Sequence, residues 1–188
     1  ACMFSPDEKG EDHKWKFFFT PTPDASWQGS QMVLTYFDEN TQTENQRKYR
    51  KSTDRWSPRY TSRPKRDVFY LGIDSGLPEI EKERQTSYID YHTSVSEDRL
   101  AERIVHTAAQ ILCKDYQSLT DHAVKNKHFF GVRTLSDINY SALSMGAGEQ
   151  RLIKILTVVY HAAPYSLILI DEIDLLLHSN AQKQLIKQ

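Results

Sequence analysis

Two short stretches hold residues whose types and spacing can do chemistry. The first is "LILIDE", Leu167 to Glu172. An apolar strand that ends in two adjacent carboxylates can divide two jobs between them. Asp171 can hold Mg²⁺, usually through water, because that ion prefers hard oxygens and keeps part of its hydration shell. Glu172 can accept a proton from an attacking water. The second stretch is "LSMGAGEQ", Leu143 to Gln150. It offers a hydroxyl, two glycines and the start of a helix. Glycines let a phosphate approach the backbone, free amides at a helix N-terminus favour an anion, and Ser144 can add a hydrogen bond. Each stretch also has a plain structural reading: a strand ending in a solvated acidic turn, and a loop whose glycines serve tight packing.

The elements that must position these residues follow from periodicity. Glu149 to His161 reads as a helix with Leu152, Ile153, Leu156 and Val159 inward, broken at Ala162 to Ser166 through Pro164. Leu167 to Ile170 is a continuous apolar run, as in a parallel strand buried on both faces. Ser179 or Asn180 caps a final helix. Upstream, "SDINYSALSMGAG" is turn-like and "HFFGVR" (His128 to Arg133) is a short strand or buried loop. A helix from about Ser94 to Tyr116 is marked by Leu100, Ile104, Ala108, Ile111 and Leu112, with Ser94 and Glu97 at capping-box spacing. "WKFFFT" (Trp15 to Thr20) and "QMVLTYF" (Gln31 to Phe37) form a hairpin with a long loop, and "DVFYLGI" (Asp67 to Ile73) is a third strand. Residues 1–14 read as a loose lead-in. The expected class is α/β (α+β), with a join near Pro78: a β-rich lobe over 1–78, a helical lobe over 79–140, and a core with part of a parallel sheet over 141–188.

Composition narrows the function classes. The 188 residues are 39% hydrophobic and 26% charged, with net charge -1. That is a soluble globular balance, long enough for a real core, with no global field directed at nucleic acid or membrane. Cys2 and Cys113 give no disulfide framework or metal spacing, and reduced thiols in a cytoplasmic protein are the default. No signal peptide is visible, and the apolar runs are too short to span a bilayer.

Taken together, the two stretches resemble the ABC-type ATPases, in which a signature turn opens a helix that leads to the Walker B strand. "LSMGAGEQ" is similar to the signature and "LILIDE" to Walker B. "DEIDLLLHS" is closer to the SMC, RecF and OLD-like branch, which includes bacterial AAA family ATPases, than to transporters. "SMGAGE" is longer than Ser-Gly-Gly-Gln, and Ser179 stands where the branch often has proline. "WSPRYTSRPKRDVFYLGIDSGLP" looks like the region before the helical lobe in bacterial proteins of that branch, some of which work in antiphage systems beside a nuclease. The resemblance implies a partial ABC-ATPase-like head that uses ATP and Mg²⁺. In it Asp171 would be the Mg²⁺-side acid and Glu172 the catalytic glutamate. Ser144, with Gly146 or Gly148, would contact the γ-phosphate, beside Glu149 and Gln150. Asp174 and His178 would lie along a dimer seam. It further implies a homodimer closed by ATP, each protomer giving its signature turn to the other's site. No G-x-x-x-x-G-K-[ST] occurs. The chain starts at Ala1 and ends in a helical pattern, so it reads as a fragment lacking Walker A, inactive alone. The alternatives are a non-hydrolysing, nucleotide-dependent scaffold and, less well matched, a transporter ATPase.

A second cluster lies between Arg47 and Arg66: Arg47, Lys48, Arg50, Lys51, Arg55, Arg59, Arg63, Lys65 and Arg66, with Tyr49, Trp56 and Tyr60 interleaved. Cations with stacking rings suit a DNA backbone. A solvated hairpin or loop whose aromatics pack on a sheet accounts for the same pattern. His106 reads as a surface or packing residue and His161 as a complement to its helix dipole. Asp74 and Ser75 follow a strand and can stand where the superfamily's glutamine loop senses Mg²⁺.

Overall fold

The computed structural model describes residues 20–38, 41–58, 67–83 and 87–187. The fold is mixed α/β, with antiparallel and parallel strand pairs and four α-helices among the described residues. The chain divides into two compact units, Ala1–Phe69 with Ala163–Leu167, and Tyr70–Ala162 with Ile168–Gln188. No helix among the described residues is long and apolar enough to cross a membrane.

In the first unit, β1 (Gln31–Asp38) pairs antiparallel with β2 (Thr43–Arg50), from Gln31 opposite Arg50 to Asp38 opposite Thr43. The expected strand Trp15 to Thr20 lies outside the described residues, apart from Thr20, which is not in a strand. The partner of β1 is instead "TENQRKYR", which has a single apolar residue and no strand signal of its own. Its pairing follows from period-two geometry. Tyr49 is buried opposite Met32 and anchors the ribbon. Lys51, in the segment read as cationic surface, is buried as well. Its Nζ donates to the Ser26 carbonyl at 2.5 Å, and its backbone pairs with Gly29 and Ser30.

The second unit is built on a four-stranded antiparallel sheet in the order β4 (His92–Val95), β5 (Tyr116–Val124), β6 (Lys127–Thr134), β7 (Asn139–Ser141). Helices α2 (Ala101–Leu112) and α3 (Ala147–His161) pack against it. The core joins Ile104, Val105, Ala108 and Ile111 to Leu119, Val132, Leu152 and Leu156. The helix expected from Ser94 to Tyr116 is therefore shorter at both ends. Ser94 lies in β4 opposite Asp121, and Tyr116 begins β5. The Asp98 carboxylate, not Ser94, accepts the Leu100 amide at 2.9 Å ahead of the helix. Cys113, in the left-handed region at φ 53°, ends it. At the ends of the segment read as helical, Ser94, Val95 and Tyr116 are thus strand. Thr120 and His122 are polar by type yet buried, which concealed the β5 strand pattern.

The remaining elements position the candidate site. β3 (Val68–Leu71) leads into a 3-10 turn, Ile73–Gly76, and a short α1, Glu79–Lys82. β3 and β8 (Leu167–Ile170) run parallel: the Leu167 amide donates to the Asp67 carbonyl at 2.8 Å, and the Asp171 amide to the Leu71 carbonyl at 2.9 Å. β8 is half-buried along its length rather than covered on both faces. Among the described residues it pairs with β3 alone. In α3 Leu152, Ile153 and Leu156 are buried as expected, whereas Val159 is 40% exposed. α4 (Ser179–Ile186) is capped by His178, whose Nδ1 accepts the Asn180 amide at 3.3 Å, and not by Ser179 or Asn180.

Candidate functional site

The carboxyl end of β8 delivers Asp171 and Glu172 to the surface with both side chains exposed. The Tyr70 hydroxyl donates to Asp171 Oδ2 at 3.4 Å. Partial burial first, and then the charge of Asp171 and its hydrogen bond, raise the Tyr70 phenol above its ordinary value, so it stays a donor. Glu172 is in the left-handed region at φ 46°. A non-glycine residue stays there only when its surroundings hold it. Its carbonyl accepts the Leu175 amide at 2.8 Å, which folds the chain into the turn that runs to His178. The Asp174 carboxylate and the His178 imidazole are exposed, and the Asp174 carbonyl accepts from Gln182 Nε2 at 3.1 Å.

The glycine turn is laid out differently. Ser144 is exposed, and its amide donates to the Ser141 carbonyl at 2.9 Å. Gly146 is the N-cap of α3 without a side-chain cap, so the first amides of the helix have no side chain across them. A Cβ at Gly146 would have its nearest neighbour, the Glu149 carboxylate oxygen Oε2, at 3.7 Å, so no side chain or backbone crowds that position. Gly148 differs: a Cβ there would lie 2.1 Å from the Leu176 carbonyl oxygen. Its glycine serves the close packing of α3 against the 171–178 turn.

Glu149 and Gln150 point inward. Glu149 accepts from the Tyr116 hydroxyl, from the Tyr140 hydroxyl at 2.6 Å and from Lys114 Nζ at 3.4 Å. Burial first, then the hydrogen bond to Glu149, pushes the Tyr140 phenol up to about 12, and the same causes raise Tyr116 further. Both phenols therefore remain donors. Gln150 Nε2 donates to the Ala142 and Met145 carbonyls at 2.7 and 2.8 Å, and its Oε1 accepts the Glu79 amide at 3.0 Å. Within this chain the polar atoms of these two residues are taken up in fixing the turn.

Sequence reasoning missed Arg151. Its side chain is fully buried, and Nη2 donates to the carbonyls of Asp171 at 2.6 Å and Glu172 at 2.9 Å, while Nη1 donates to Ser75 Oγ at 3.2 Å. A signal was present: Arg151 falls on the helix face of Gly148, Leu152 and Ile155, which faces the interior. Tyr70 was also missed, and only the return of β3 beside β8 brings it to Asp171. Ser75, a glutamine-loop candidate, donates to the Gly72 carbonyl at 2.5 Å, and Asp74 is exposed. His106 is a surface residue near Gln110 Nε2, and His161 bridges the Thr157 carbonyl and the Asp98 carboxylate.

Among the described residues no hydrogen bond joins Ser144 to Asp171 or Glu172, and no group of three or more His, Cys, Asp or Glu residues could hold a metal ion alone. An exposed carboxylate such as Asp171 suits an ion whose other ligands are phosphate oxygens and water. A mixed α/β fold with acids at a parallel strand end, and a glycine turn opening the helix before that strand, is consistent with part of an AAA ATPase-like fold. A family described as "AAA domain, putative AbiEii toxin, Type IV TA system" matches residues 19–188, and the chain belongs to it. No curated protein and no solved structure matches the chain. AAA domains are nucleotide-binding ATPase domains that use ATP and Mg²⁺.

Proposed function

We propose that this chain carries the Walker B acids and the signature turn of an ATPase of the SMC, RecF and OLD-like branch, working as a nucleotide-linked homodimer. Asp171 holds Mg²⁺, oriented by the Tyr70 hydroxyl. Glu172 accepts the proton of the attacking water. Ser144 and the bare backbone at Gly146 meet the phosphates bound by the partner protomer. Bound Mg²⁺ supplies neutralisation of the charge on the transferred phosphate. The reading is carried by one observation: exposed carboxylates at a parallel strand end, linked through α3 to a turn with an exposed serine and an uncapped helix start. The toxin–antitoxin wording of the family description supports a defence setting, with DNA or a nuclease partner receiving the output.

The test is Glu172→Gln in the intact protein. Turnover should fall by about 10²–10⁴-fold, the usual contribution of a positioned general base, while ATP binding and the ATP-bound dimer persist. Unchanged turnover removes Glu172 from this role.

A further inference from the structure

A fully buried guanidinium is costly unless its charge is compensated. Among the described residues no carboxylate lies within ion-pair distance of Arg151. Its hydrogen-bond partners there are neutral oxygens: the Asp171 and Glu172 carbonyls and Ser75 Oγ. The surroundings are shaped to admit it. A Cβ on Gly76 would come within 2.9 Å of Arg151 Nη1. Ser75 passes the contact on, since its hydroxyl donates to the carbonyl of Gly72, the residue after β3. One side chain from α3 thereby ties the outlets of both parallel strands. It grips the two residues whose side chains are the candidate ion ligand and base. One of those, Glu172, sits in the left-handed region at φ 46°.

We propose that Arg151 is the positioning residue of this site: a clamp on the Asp171 and Glu172 carbonyls that holds Glu172 in its left-handed conformation and so aims both carboxylates outward. Arg151 touches no substrate in this role. It acts through the backbone of the two acids. A planar fork suits the task, because one nitrogen spans two successive carbonyls while the other reaches Ser75, and a lysine's single ammonium cannot hold all three in that plane. The inference rests on the ATPase reading for its catalytic consequence, but the clamp itself is a statement about this chain.

The experiment uses the intact protein with Arg151→Met, Arg151→Lys and Gly76→Ala, the last crowding the guanidinium without removing its charge. Two measurements are made on each. Amide hydrogen exchange is followed over residues 171–177, with Ala101–Leu112 as the internal control for folding. ATP turnover is measured as separate kcat and KM. In Arg151→Met the amides of residues 172–177 should exchange about tenfold faster or more, with α2 protection kept, as expected when a local closing contact is lost. kcat should fall at least about tenfold with KM for ATP little changed, the pattern of a lost transition-state alignment. Arg151→Lys should restore part of both, and Gly76→Ala should show the same direction more weakly. Normal exchange in residues 171–177 together with normal kcat, in any folded Arg151 variant, overturns the proposal. If Arg151→Met also loses α2 protection, the Lys and Ala variants decide by the same two readouts. If the unaltered protein turns over no ATP, the ATPase reading fails, while the exchange measurement still decides the clamp.

Discussion

Gly146 and Gly148 stand two residues apart and have different reasons to be glycine. Gly148→Ala would drive a methyl into the Leu176 carbonyl, which lies 2.1 Å from the Cβ position. It should cost about 1–3 kcal/mol in chemical denaturation, the usual range for overpacking. Gly146→Ala meets nothing closer than 3.7 Å and should leave stability within about 0.5 kcal/mol while lowering turnover. Equal effects on stability would refute this division. His122 is another residue whose meaning depends on place. It is buried, with Nδ1 2.9 Å from Thr93 Oγ1, Nε2 2.9 Å from Thr120 Oγ1, and Tyr91 edge-on to its ring. A neutral imidazole, one nitrogen donating and the other accepting, satisfies both threonines. Burial lowers its pKa, against a smaller opposing effect of the Asp121 charge. The unfolded chain therefore takes up the proton more readily than the folded one. The contribution of His122 should be complete above about pH 6.5, the value for an unperturbed histidine, and should be lost as pH falls below it. A melting series from neutral to acid pH should show that loss, and His122→Gln should flatten it.

At the scale of elements, the β1–β2 ribbon decides which of the clustered cations face out. Lys48 and Arg50 lie on its exposed face with Val33 and Phe37, whereas Arg47 shares the half-buried face with Leu34, and Lys51 is buried. If the ribbon contacts DNA, Lys48→Ala with Arg50→Ala should weaken binding and reduce the salt dependence by about two ions' worth. An unchanged slope would leave the ribbon a structural element. Arg59, Tyr60, Arg63, Lys65 and Arg66 lie outside the described residues. The legible elements were those with a clean period. The middle of α2, the inner face of α3, the β8 run and the β1 alternation could all be read from apolar spacing. β2 could not, because one tyrosine carries its burial. β5 could not, because buried threonine and histidine interrupt its apolar pattern. The reach of the helix expected from Ser94 to Tyr116 failed for the same reason, since pairing with β5 outweighed a capping pattern at Ser94.

At the scale of the whole molecule, the proposed dimer makes a prediction that no single protomer can satisfy. A Ser144→Arg protomer is defective in the site it lends to its partner, and a Glu172→Gln protomer is defective in its own. Mixing the two inactive variants places one sound site in each mixed dimer. Half of the dimers are mixed on random exchange, so about a quarter of the unaltered turnover should return, as two-fold assembly requires. No recovery would mean that Ser144 and Glu172 do not work across a dimer.

The sequence by itself determined which residues are candidates for chemistry and which local elements carry them. The apolar run ending in Asp171 and Glu172 reads as a strand with acids at its end, and Ser144 with Gly146 reads as a turn opening a helix, because these are local patterns of period and turn. Only the tertiary structure decided how they are held. Arg151 reads as one more charged helix residue until β8 returns beside β3 and brings two carbonyls to its guanidinium. Gly148 resembles a phosphate glycine until Leu176 closes on it. Glu149 and Gln150 read as site residues until Tyr116, Tyr140 and Ala142 take up their polar atoms. Each of these contacts joins residues far apart in the chain, or turns on which face of a helix the core covers, and no local pattern encodes that.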